Sequence, residues 1–96
     1  MRVATDDILI IPFEQVGGLF QRSPGHAVLV QCGQRRLQVG AIIPWPDGKF
    51  LVDIQIFEEI RQIPYAVGKF SEVIESFESA VGAARVCLTS IRRAKE

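Results

Sequence analysis

Over the last third of the chain, apolar residues recur alternately four and three positions apart: Phe70, Ile74, Phe77, Val81, Ala84, Leu88 and Ile91. That spacing keeps one side of an α-helix apolar through three heptads. Glu72, Glu75 and Glu78 lie toward its start and Arg92, Arg93 and Lys95 toward its end, the polarity that suits the helix macrodipole. Ser71 reads as the N-cap, and Pro64 biases Ile63 away from helix, so the helix begins after it. The pattern predicts one helix over about residues 70–94. Gly82 is the alternative stopping point, and Val86–Ile91, with its β-branched residues, the alternative fifth strand. The heptad phase runs unbroken through Gly82, which favours the single helix.

A coiled-coil seam needs a narrow stripe with charged flanks. With Ile74, Val81 and Leu88 taken as a positions, Phe70, Phe77, Ala84 and Ile91 fall at d. The g positions are then Val73, Ala80 and Cys87, apolar as well. A stripe widened on one side suits a helix packed on a sheet. The end near Leu88 and Ile91 is the part expected to overhang and meet a second copy.

Upstream the period changes to two. Ile8–Ile11 is a short apolar run that Pro12 confines to an edge or an end. Val16–Phe20 is irregular, and Ser23-Pro24-Gly25 marks a turn. Ala27–Cys32 reads as a strand, Gly33-Gln34-Arg35 as a reversal, and Arg36–Ile43 as a strand with Leu37, Val39, Ala41 and Ile43 on one side. Pro44-Trp45-Pro46-Asp47-Gly48 is the strongest turn signal. Lys49–Phe57 follows, with Phe50, Val52, Ile54 and Ile56 inward. Residues 58–64 either extend that strand or form a turn and a short extra one. The expected fold is α+β: an antiparallel three- to four-stranded meander sheet packed against one long C-terminal amphipathic helix, as a single domain over residues 1–96.

Composition narrows the function classes. With 48% hydrophobic and 23% charged residues, the chain belongs with folded globular domains. Eleven basic residues balance eleven acidic ones, whereas phosphate neutralisation dominates the affinity of duplex-DNA binders. Asp6 and Asp7 stand where a signal peptide would begin its apolar core, and no run approaches the roughly 20 residues that span a bilayer. Cys32 and Cys87 lie far apart with no histidine nearby, as buried thiols in a reducing cytosol do. A cytoplasmic protein without membrane attachment is expected.

Chemistry-bearing motifs are absent: there is no phosphate loop, dinucleotide fingerprint, zinc-protease helix or calcium loop. His26 precedes a strand without an acidic or nucleophilic neighbour. Gly17-Gly18 reads as a bend, and Asp6-Asp7 and Glu58-Glu59 as solvated ends. Neither catalysis, nor a cofactor, nor a metal is expected. Binding features remain. On the sheet face away from the helix the alternation places Gln31, Arg36, Gln38, Leu51, Asp53, Gln55 and Phe57. Arg35 and Lys49 flank that face, and Trp45 at the hairpin tip is the natural anchor. The partner-binding set is therefore Arg35, Arg36, Gln38, Trp45, Lys49, Gln55 and Phe57. Curved sheet followed by helix, over residues 27–92, resembles in outline the single-strand-binding Whirly and Pur groups, although no motif of theirs matches residue by residue. That resemblance implies the alternative reading, a single-stranded nucleic-acid binder using Arg35, Arg36, Lys49, Arg92 and Arg93. The leading expectation is a small non-enzymatic protein-binding module (adaptor, inhibitor or accessory subunit), homodimeric, acting through its open sheet face and hairpin tips.

Overall fold

The alternating runs and their turns fold into an antiparallel meander whose strands follow one another in chain order. The structure, a computed structural model, describes residues 5–16, 23–56 and 68–90. Phe57, Gly17-Gly18, the stretch 58–64 and residues 91–94 of the expected helix lie outside the described residues. A 3₁₀ turn at Thr5–Asp7 leads into β1 (Ile8–Pro12), followed by a single helical turn, α1 (Phe13–Val16). Next come β2 (His26–Cys32), β3 (Arg35–Trp45), β4 (Lys49–Ile56), β5 (Gly68–Ile74) and α2 (Phe77–Thr89). The sheet thus has five strands where three to four are expected.

The fifth strand is cut from the front of the predicted helix. Phe70 and Ile74 are four apart, and residues four apart share a face in both a helix and a strand, so their spacing cannot separate the two. Local chemistry decides. Ser76 adopts an extended backbone (φ −143°, ψ 161°) and its Oγ accepts the N–H of Ser79 at 3.1 Å. Ser76, not Ser71, is therefore the N-cap, and Phe70–Ile74 pairs along β4 instead. From Phe77 the helix runs through Gly82 without interruption to Thr89.

Two hairpins have the geometry that their residues demand. Cys32 and Arg35 pair across Gly33-Gln34, with Gly33 at φ 63°. At the other turn Asp47 and Gly48 both have positive φ (66° and 73°), the condition for a type I′ reversal. β3 continues through Pro44 to Trp45, beyond its expected end at Ile43. Pro44 is tolerated because β2 starts at His26, opposite Ile42. From there on β3 is one-sided, and Pro belongs on such edges.

A β-bulge in β3 governs which side chains face where. Val28 pairs with Gly40 and Leu29 with Gln38, so Val39 is the extra residue. Leu37, Val39, Gly40 and Ile42 then lie on the helix side, while Gln38, Ala41 and Ile43 lie on the other. Ala41 and Ile43, expected inward, are thereby turned outward, and Ile42 takes the core position at 1% exposure. Gly40 is obligatory in this arrangement, because a Cβ there would meet the Asp53 carbonyl oxygen at 2.2 Å.

The core between sheet and helix joins Ile8, Val28, Val30, Val39, Ile42, Val52 and Ile54 to Ala80, Ala84 and Leu88. Complete burial of a Val, Leu or Ile side chain is worth about 1.5–3 kcal/mol. Ala80 and Ala84 have no side chain beyond Cβ, so α2 can approach the sheet closely. Phe77 pins the start of α2 between His26 (ring centroids 4.6 Å apart) and Phe50 (5.7 Å, edge-on). Leu88 is fully buried in this core and so does not overhang toward a second copy.

Candidate binding face

Strand register places paired residues on the same face, and it collects most of the predicted site. Arg36 pairs with Gln31, and its Nε donates to Gln31 Oε1 at 3.3 Å. Gln38 pairs with Leu29, Asp53 with Ala41, Gln55 with Lys69, and Trp45 with Lys49. All of these lie on the face opposite α2. Arg35 belongs to β3 one residue out of phase with Arg36, and its side chain, like Phe57, lies outside the described residues.

This face has two unlike halves. At β1 and β2, Phe13 folds from α1 over Ala27 and Leu29, with Leu9, Ile11 and Ala41 packed alongside. The Phe13 N–H donates to the Gly25 carbonyl at 3.1 Å, and Phe13 fills the space that a Cβ on Gly25 would need. That half is closed, so the face is not open across its whole width as the sequence implies. At β3, β4 and β5, no described element covers it.

The open half carries Ile43, Leu51 and Val73 at its centre, with Ala41 at the border with the sealed half and Trp45 at the hairpin end. Trp45 is 45% exposed and Val73 41%, so the tryptophan does not fold back onto the core. Around them stand Arg36, Gln38, Asp53, Gln55, Lys69 and Ser71. The Lys49 Nζ reaches Glu75 Oε1 at 3.8 Å, both side chains well exposed. Beside the bulge is a shallow depression of about 400 Å³ bordered by Gln38, Ala41, Asp53 and Gln55. The half-buried Asp53 side chain forms no hydrogen bond or ion pair among the described residues.

Sequence reasoning missed Ala41, Ile43, Val73, Lys69 and Ser71. The first two follow from the bulge, for which Gly40 inside an alternating run was the available signal. The other three follow from β5, hidden in the helical spacing.

Reactive groups do not converge elsewhere among the described residues. Among the described residues, no three His, Cys, Asp or Glu side chains are grouped to hold a metal ion. His26 is spent on packing against Phe77. Cys87 is a free, half-buried thiol, and burial pushes its pKa up, so it is held in the less nucleophilic protonated form. No helix among the described residues is long and apolar enough to cross a membrane. Comparison with known proteins returns no matching family model, no matching curated protein and no matching solved structure.

Proposed function

We propose that the chain is a small non-enzymatic protein-binding module of the cytoplasm, an adaptor, inhibitor or accessory subunit, which contacts its partner through the open half of the sheet face and the Trp45 hairpin tip. One observation carries the reading: the bulge turns Ala41 and Ile43 onto the uncovered face beside Leu51, Val73 and Trp45, giving an apolar centre inside a polar margin. Protein interfaces have this anatomy, with buried aromatic anchors dominating their energy. The free protein is homodimeric, covering the same apolar band with a second copy. Light scattering at high micromolar concentration is expected to return twice the chain mass; the mass of one chain would contradict the dimer.

Affinity capture from the native host tests the module itself. Wild-type protein is expected to retain a stoichiometric protein partner, and Trp45→Ala to lose most of it, since truncating an interface anchor costs about 2 kcal/mol or more. Failure to recover any such partner counts against the module. The competing single-strand-binding reading predicts oligonucleotide affinity that falls steeply with salt. Arg36 and Lys69 are the only described cations on the face without an acidic partner within 4 Å, so little oligonucleotide binding is expected even at low salt.

A further inference from the structure

At the sheet edge farthest from Phe13, a second surface has the features of a strand receptor. Among the described residues β5 is paired on one side only, with β4. Its outer row of N–H and C=O groups is therefore a template for another strand. Between β5 and α2 runs a groove of about 620 Å³, with Phe70, Glu72, Ala83, Val86 and Cys87 in its lining and Lys69, whose strand position faces the other side of the sheet, also bordering it. Val86 is 70% exposed, although it sits on a helix whose other apolar residues are buried or half-buried. An edge strand beside an apolar groove is the setting in which extended peptides add a strand and seat alternate side chains.

Glu72 determines what fits. It pairs with Val52 and so lies on the helix side between Phe70 and Ile74, yet it is exposed and has no ion pair among the described residues. A second copy pairing antiparallel through β5 meets this charge. The register that sets Phe70 against Ile74 of that copy also sets Glu72 against its own symmetry mate, and like charges directly opposite are destabilising. An inward-pointing charge on an edge strand is a known guard against self-pairing. A strand carrying Lys or Arg at that place turns the same charge into an attraction.

We propose that the β5–α2 groove receives an extended basic segment of a protein partner as a sixth strand. Its Lys or Arg stands opposite Glu72, and the apolar side chains two residues to either side rest against Phe70, Ala83 and Val86. This surface shares β5 and Lys69 with the open sheet face, but its α2 side, Ala83 and Val86, lies on the opposite side of the sheet, so shifts at residues 83–87 tell the two apart.

The test is an amide-resonance titration of the full chain with two blocked seven-residue peptides, threonine alternating with leucine, lysine and leucine, or with leucine, glutamate and leucine. The lysine peptide is expected to give saturable shifts concentrated in residues 69–74 and 83–87, and to bind roughly two- to fivefold more tightly than the glutamate peptide, the range for one cross-strand charge pair. Glu72→Lys reverses that preference, and Val86→Asp weakens both peptides. Both positions are exposed, and circular dichroism verifies that the variants keep the fold. No saturable shift at millimolar peptide, shifts centred elsewhere, or an unchanged preference in Glu72→Lys would each overturn the proposal.

Discussion

Two glycines in regular structure have opposite meanings, and a Cβ distinguishes them. At Gly40 it would collide with the backbone of β4, whose Asp53 carbonyl oxygen stands 2.2 Å away. At Gly82 it would meet nothing within 4 Å, inside a helix. Gly40→Ala is therefore expected to destabilise by about 3 kcal/mol, the upper range for overpacking. Gly82→Ala should stabilise by up to about 1 kcal/mol, because alanine is the better helix former by that amount. Urea unfolding followed by circular dichroism checks both; equal effects of the two substitutions would mean that the bulge is not as described. Gly82 looks the weaker point from its sequence, as a possible helix end, whereas Gly40 gives only the quieter signal of a glycine inside an alternating run. The structure reverses their importance.

At the scale of elements, what could be read from the chain depended on how distinctive each local signal was. The hairpin at Asp47-Gly48 is legible because few residues accept two successive positive φ values. The inward set Phe50, Val52 and Ile54 is legible because plain alternation holds along β4. β3 was legible only as far as Val39: after that extra residue every later side chain changes face, and period-two reasoning continues on the wrong side. β5 was illegible for another reason, since Phe70 and Ile74 satisfy both periods at once. The decisive residue there is Ser76, whose hydroxyl caps α2. Ser76→Ala is expected to cost about 1 kcal/mol in thermal or urea unfolding, while Ser71→Ala, on an exposed strand position, should cost little. The opposite order would restore the longer helix.

For the whole molecule, one sheet serves two tasks on its two faces. The helix side is filled by Ile8, Val28, Val30, Ile42, Val52 and Ile54 against Ala80, Ala84 and Leu88, and it holds the fold together. The other side is sealed by Phe13 over β1 and β2 and left uncovered by the described residues over β3, β4 and β5. Arg36, Gln38, Trp45, Lys49 and Gln55 could be placed on that second side from alternation and turn position alone. Its apolar centre could not, because it depends on a bulge and on a strand that the helical spacing concealed. The central claim is that the open half of this face, and not the half sealed by Phe13, meets the partner. It is tested most directly by placing a photo-crosslinking amino acid at Leu51, on the open half, or at the exposed Glu14, on α1, and irradiating the protein in extracts of its native host. A single stoichiometric protein adduct is predicted from position 51 and none from position 14; no adduct from position 51, or equal adducts from both, would contradict it.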